Sequence, residues 1–275
     1  MKDYTIKELN YISKEIRKKV VEMAYNAKSS HVGSALSIVD ILVVLYYKQI
    51  NIDPIYPQKE DRDIFILSKG HACSALYATL AYRGFFSIDL LDTYQKSGYQ
   101  MYGHPKRLGI PGVEVSTGSL GHGLSIGCGI ALSNMNDEKP NKTIVLLGDG
   151  ECNEGSIWEA TMFASSNKLN NLIAIIDSNK LQGFGKVEEI VLSQPLYNKW
   201  LSFGWNVIEI DGHNYSEINN SIKLAFSNKT DKPTIIIANT IKGKGVSFME
   251  NKLQWHYKSP SKSELEAAIT EVQSL

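Results

Sequence analysis

Residues 143–155 read TIVLLGDGECNEG: a β-branched apolar run that breaks into two glycines around an aspartate and then opens a helical stretch. The run, Thr143 to Leu147, is short and continuous, the pattern of a strand buried on both faces of a parallel sheet. Four more runs of this kind lie at Ile64 to Leu67, Leu172 to Ile176, Asn206 to Ile210 and Thr234 to Ala238. Such a sheet needs helices on both faces. Asn153 to Asn167, Tyr215 to Asn228 and Ser263 to Val272 supply them, the last behind a Ser261/Glu264 capping box. The expected class is α/β, a central parallel sheet covered by helices on both sides. Ahead of it, Ile6, Leu9, Ile12, Ile16, Val20, Met23 and Ala27 recur every three or four residues behind Thr5 and Glu8, which predicts a capped amphipathic helix. A second helix is expected over Ile38 to Tyr47 with Ser37 as its cap, then a loop from Asn51 to Arg62. No linker or internal repeat interrupts the pattern, so one domain is expected over 1–275, with a helical segment over about 1–62.

Composition narrows the function classes. The 275 residues carry 29 Lys and Arg against 29 Asp and Glu, a formal net charge of zero, which gives no electrostatic basis for binding nucleic acid or an anionic membrane. The longest apolar run, Ile41 to Tyr47, is far short of the roughly 20 residues that span a bilayer. The start, MKDYTIKELNYISKEIRKK, has no apolar signal core, so a cytoplasmic protein is expected. Three widely spaced cysteines, Cys73, Cys128 and Cys152, argue against a disulfide framework and a tetrahedral zinc site. Reduced, buried thiols are expected.

The polar clusters recur at one place in the pattern. SKGHA follows the first run, GDGECNEG the second, DSNKLQG the third, DGHN the fourth and NTIKGKG the fifth. Ligands of open parallel sheets bind beyond the carboxyl ends of the strands, so the clusters are expected to converge on one crevice. In GDGECNEG, Gly148 and Gly150 allow backbone amides to approach an anion at the start of a helix. Asp149 would repel a phosphate there unless a cation sits between them, and Mg²⁺ prefers such oxygen ligands. Asn179, at the end of the next run, offers an amide oxygen. Taken singly, Asp-Gly is a common turn and Asn a common cap; GDG followed about 30 residues later by Asn, each behind a buried strand, is far more specific.

That combination resembles the thiamine diphosphate signature, and the chain from about Glu15 to Pro260 resembles the amino-terminal, diphosphate-binding part of transketolases, in particular the free-standing amino-terminal subunit of split ones. The resemblance implies the thiamine diphosphate-binding (PP) fold. It also implies that Asp149, Asn179 and the backbone carbonyl of Leu181 ligate Mg²⁺ or Ca²⁺, that Gly150 gives its amide to the diphosphate, and that Glu154 serves subunit contact and a relay between active sites. Gly118 and Leu120, in TGSLGHG, would touch the cofactor through backbone. His31 in SSHVGS, His104 in YGHP and His256 in WHYKSP would act on substrate, His256 also meeting the cofactor, while His71 in SKGHA would sit beside the diphosphate. Histidine suits proton handling because its unperturbed pKa lies near neutral. The resemblance is imperfect at Ser119, His122 and Tyr257, where relatives often carry Pro, Gln and Gly. His213, in DGHN, is expected to shape the loop after its strand. IKGKGVSFME lacks the spacing of a nucleotide phosphate loop and is expected to carry the chain toward Trp255 and His256.

The implied reaction is transfer of a two-carbon ketol unit from a ketose donor to an aldose acceptor, a transferase activity. In the family, the glutamate that activates the cofactor and much of the sugar site belong to a pyrimidine-binding domain. A second polypeptide carrying that domain and a C-terminal domain is therefore expected to complete the site, in an α2β2 heterotetramer. Sulfosugars and branched ketoses fall within the substrate range left open. Deoxyxylulose phosphate synthase and the 2-oxoacid dehydrogenase alpha subunit share GDG and Asn, but SKGHA, GHP and TGSLGHG favour transketolase. A non-catalytic binding subunit is a further alternative, against which the intact Asp149, Asn179 and histidines argue.

Overall fold

The computed structural model describes residues 3–191 and 195–275. Helices α1 (Ile6–Ala27), α2 (Val32–Leu36) and α3 (Val39–Val44, continued by a π turn over Leu45–Gln49) precede the sheet. Then follow β1 (Ile64–Leu67), α4 (Cys73–Arg83), α5 (His122–Asn136), β2 (Thr143–Gly148), α6 (Gly155–Ser166) and β3 (Leu172–Ser178). The short α7 (Val187–Ile190) and α8 (Leu196–Ser202) lead to β4 (Asn206–Asp211), α9 (Tyr215–Phe226), β5 (Thr234–Asn239) and α10 (Lys262–Ser274). All five expected runs are strands, and all pair in parallel in the order β1-β2-β3-β5-β4.

Because successive side chains of a strand point to opposite faces, each run feeds two cores. Ile144, Leu146, Ile173, Ile175 and Ile236 pack toward α1, α3, α4 and α9, whereas Val145, Leu147, Ala174, Ile176 and Ile237 pack toward α5, α6 and α8. The second core ends in an aromatic cluster in which Trp200 meets Trp205 at 4.9 Å and Trp158 stacks on Phe203 at 5.5 Å. Full burial of one such aliphatic side chain is worth about 1.5–3 kcal/mol, so the continuous runs supply much of the drive to form the sheet. Cys73, Cys128 and Cys152 are free and buried within these layers.

Both predicted capping boxes form, Thr5 with Glu8 and Ser261 with Glu264. Two expectations fail. Ser37 does not cap a helix, because its hydroxyl turns to Asp177 Oδ2 at 2.7 Å and Ser34 O at 3.0 Å; the helix starts one residue later, behind Ile38, with no side-chain cap. Nor is β4 buried on both faces: it pairs only with β5, and Glu209 and Asp211 are exposed.

Away from the sheet's centre, a buried network ties α1 and α3 to the loop after β4. Arg17 donates to both oxygens of Asp40, at 2.9 and 2.5 Å, and Tyr215 donates to Asp40 at 3.0 Å. His213 Nε2 accepts from the Ile241 amide at 2.8 Å, which puts the ring proton on Nδ1, 2.8 Å from Asp40. His213 thus shapes this loop, as expected.

Candidate cofactor site

A cavity of about 430 Å³ opens beyond the carboxyl ends of β1, β2 and β3. The turn after β1 brings His71 to it, the turn before α5 brings Gly118 and Leu120, and the turn after β2 brings Asp149, Gly150 and Glu154. The turn after β3 contributes Asn179 and Leu181. His31 enters from the start of α2, His104 from the loop after α4, and His256 from the turn before α10. Every residue singled out as catalytic, cofactor-binding or metal-ligating therefore lines one cavity. His122 does not; it is exposed beside a separate recess with Ser116 and Ile126. DGHN stays apart, since β5 lies between β3 and β4, and so does most of NTIKGKG: Asp211 and His213 share a different pocket with Asn239, Thr240, Ile241 and Lys244, so three of the five clusters line the cavity and not all five as expected.

Adjacent parallel pairing sets Gly148 opposite Asp177, which draws the turns after β2 and β3 together. Asp149, only 2% exposed, accepts the Gly150 amide at 2.8 Å and the Lys180 amide at 2.6 Å. Burial, and secondly the nearby Asp177, still push its pKa up to about 6, outweighing the two amides and the Lys69 cation. Asp177 is fully buried and accepts from Lys69, Thr240 and Ser37, and from Asn179 Nδ2 at 2.8 Å. With its NH₂ end held there, Asn179 turns Oδ1 to the Leu181 amide at 3.1 Å. Glu151 collects the Ser68 hydroxyl, the Gly121 amide at 2.9 Å and the Gly148 amide at 3.0 Å, fastening three cavity-lining turns. Gly121 has φ +83°, and a Cβ there would lie 2.7 Å from Glu154 Cβ, so any other residue would be strained.

The rings of His31, His71 and His256 stand 4.9 to 5.9 Å apart. His31 is held in the left-handed region at φ 69°, its amide donating to the His256 carbonyl at 2.9 Å, a local strain of the kind concentrated at functional sites. Burial and the neighbouring cations drive the pKa of His31 down to about 4 and that of His256 to about 3; His71 lies well below its usual value and burial lowers His104. The near-neutral titration expected from the free side chain is thus corrected. These imidazoles are neutral at neutral pH and act as paired hydrogen-bond donors and acceptors.

The donor set suits a hard cation bridging to an anion. Asp149, Asn179 Oδ1 and the Leu181 carbonyl offer oxygen, and Mg²⁺ is usually held by one or two carboxylates plus substrate phosphates. Among the described residues no three His, Cys, Asp or Glu side chains are grouped to hold a metal by themselves, so the remaining ligands would have to come from a bound molecule. Asn153 and Gln182 line the same cavity, and their Oδ1 and Nε2 atoms are buried without a hydrogen bond among the described residues. Two functional candidates escaped the sequence reading. Lys69 is 1% exposed and paired to Asp177, and Lys242 is fully buried with Nζ 3.3 Å from the Leu181 carbonyl and 2.8 Å from His256 Nδ1. Their signal was a lysine in a strand-end cluster, SKGHA and IKGKG respectively.

Residues 9–271 match the family described as transketolase, thiamine diphosphate binding domain. The chain belongs to this transketolase family. It is 42% identical over 268 residues to an apulose-4-phosphate transketolase subunit of Phocaeicola vulgatus, covering 97% of this chain and 94% of that one. It is likewise 42% identical to the 6-deoxy-6-sulfo-D-fructose transketolase subunit SqwG of a Clostridium species, covering 97% and 96%. Human transketolase is 36% identical over 98% of this chain, which spans 42% of its length. The solved transketolase of Campylobacter jejuni superposes with a TM-score of 0.92 at 30% identity, over 98% of this chain and 43% of that one. The chain thus spans less than half the length of the solved transketolases it matches. No helix of the described residues is long and apolar enough to cross a membrane.

Proposed function

We propose that this chain is the diphosphate-binding subunit of a two-polypeptide transketolase that moves a two-carbon ketol unit from a ketose to an aldose. The observation that carries the reading is the single cavity shared by His31, His71, His104, Asp149, Asn179 and His256. Relatives of nearly the same length are named as single subunits of transketolases, which supports a separate partner chain, with α2β2 as the proposed assembly.

Asp149, Asn179 and the Leu181 carbonyl would hold Mg²⁺ or Ca²⁺, and the Gly150 amide, which donates to Asp149 Oδ1 at 2.8 Å, would have to leave that carboxylate to bind the diphosphate beside His71. When bound, thiamine diphosphate supplies a nucleophilic carbon and an electron sink for cleaving the bond next to the ketose carbonyl. Gly118 and Leu120 approach the cofactor with backbone, and Glu154, exposed at the rim, is assigned to contact between subunits. His31, His104 and His256 orient donor hydroxyl and carbonyl oxygens, His104 facing the C1 hydroxyl. Positioning of this kind is a large part of catalysis because it removes the entropic cost of alignment from the reacting step.

The test is coexpression with a pyrimidine-binding partner chain, followed by assay of ketol transfer with and without thiamine diphosphate and Mg²⁺. Apulose 4-phosphate and 6-deoxy-6-sulfofructose are the first donors to try, given the relatives' names. Cofactor-dependent transfer by the complex and none by either chain alone is the expected result. Transfer by this chain by itself would overturn the two-polypeptide reading.

A further inference from the structure

His104 lines the cavity, yet among the described residues its imidazole makes no hydrogen bond, whereas a ring nitrogen of His31, His213 and His256 each meets a partner. The stand of the ring is therefore set by the backbone that carries it and by the wall it leans on. That backbone has no ladder to hold it. Residues 94–121 form neither helix nor strand, so their carbonyls must find partners elsewhere.

Helix α4 provides two of them. The Cys73 thiol faces the Tyr102 carbonyl at 3.7 Å, and the Tyr77 hydroxyl donates to the His104 carbonyl at 3.0 Å. Positions 73 and 77 are one turn apart on the same helix face, so the YGH stretch is laid along α4. The next carbonyl, of Pro105, accepts from the Thr117 amide at 3.1 Å, and the Thr117 hydroxyl ties that strand of the loop to Leu67 O, at the end of β1, at 2.8 Å. The ring itself leans on Gly118, where an added Cβ would lie 3.2 Å from His104 Cδ2. Of these holds, the one on His104 itself comes from Tyr77, which is fully buried with its ring edge-on to Tyr94 at a centroid distance of 6.2 Å. A carbonyl only accepts, so the direction of this bond is fixed.

We propose that Tyr77 is a positioning residue for ketol transfer: by holding the His104 carbonyl from α4, it fixes where that imidazole stands in the cavity. The idea rests on the reading of His104 as a substrate-facing residue, and the test separates the two. In the assembled complex, Tyr77→Phe keeps the ring and removes the donor. Misplacement by about 1 Å can cost about a hundredfold, so kcat/KM for the donor ketose should fall by about tenfold to a hundredfold, with thiamine diphosphate affinity by calorimetry unchanged. In a complex already carrying His104→Ala, the same change should move the residual kcat/KM by less than about twofold, because no ring is left to misplace. An equal loss in both backgrounds, no loss in the parent complex, or a loss of cofactor affinity would overturn the proposal.

A second readout needs no turnover. In ¹H–¹³C spectra of the full chain labelled at histidine, with the signal identified by His104→Gln, Tyr77→Phe should shift His104 and leave His31 and His256 in place; an unmoved His104 signal overturns the proposal. Full activity of the His104→Ala complex would defeat the substrate reading of His104 and leave this spectral result to decide the positioning. Should Tyr77→Phe fail to fold by circular dichroism, the parent chain decides: the Tyr77 hydroxyl proton should exchange slowly with water and show a nuclear Overhauser contact to the His104 α-proton, and exchange as fast as that of the exposed Tyr11 hydroxyl would overturn the proposal.

Discussion

Asn179 donates its amide NH₂ to Asp177 Oδ2 at 2.8 Å, and this bond decides which end of the amide faces away from that carboxylate, toward the proposed ion. A carboxylate accepts only, so the Asn179 oxygen must point the other way. Asp177 in turn is ionised through its buried partner: it lies below the usual carboxylate range despite burial because of the Lys69 ammonium and the hydroxyls of Thr240 and Ser37.

Asp177→Ala should therefore cost more than a lost contact. Lys69 would be left as a buried, unpaired cation, and removing one partner of such a pair typically costs about 3–5 kcal/mol. Urea unfolding of the two chains measures it; a difference below about 1 kcal/mol would show that Lys69 finds water or another acceptor.

Asp149→Ala should abolish thiamine diphosphate binding by the assembled complex while leaving the fold near intact, since that carboxylate supplies the only acidic ligand of the proposed ion. Chelation of divalent metal from the parent complex should have the same effect. Calorimetry showing undiminished cofactor affinity in the variant would remove Asp149 from the site.

His104→Ala and His256→Ala complexes, saturated with cofactor, should keep it bound and lose turnover by about 10²–10⁴, the usual range for a positioned proton-transfer group. The donor's KM should rise more in His104→Ala. Normal turnover in both would mean that the partner chain supplies the channel chemistry.

The histidine cluster also predicts a pH dependence of stability. In the unfolded chain these side chains titrate near 6.5, whereas His31 and His256 in the folded chain bind a proton only near about 4 and 3. Between those values the unfolded state holds more protons at these two sites, so their contribution to stability falls as pH drops from about 6.5 toward 4, against the opposite contribution of Asp149, whose pKa is raised to about 6. His256→Gln should flatten that decline. Parallel unfolding profiles for the two chains across this range would contradict the assignment.

The strands were legible because burial on both faces leaves no polar alternation to blur a run, and the cavity was legible because the chemistry-bearing clusters follow those runs. What sequence could not convey was pairing at a distance. Lys69 is 108 positions from Asp177, and Ser37 is 140 positions from the carboxylate that draws its hydroxyl away from a helix end. DGHN and NTIKGKG looked equivalent to the other three clusters until the strand order put β5 and β4 at the edge beyond β3, where both clusters border a separate pocket. The two capping boxes, by contrast, are complete within four residues and were readable as they stand.

The buried cysteines give this molecule a built-in timer. Only the thiolate reacts with an alkylating reagent, and burial pushes Cys73 and Cys128 up to about 12 and Cys152 well above its usual value. Labelling must therefore wait for the chain to open around each sulfur. Cys152 sits on the turn over Gly150–Asn153, directly after Asp149, while Cys73 begins α4 and Cys128 lies inside α5. Three labelling rates from one sample thus compare how often the turn after β2 breathes with how often the surrounding helices do. Cofactor loading would slow the first clock and leave the other two to report the rest of the fold.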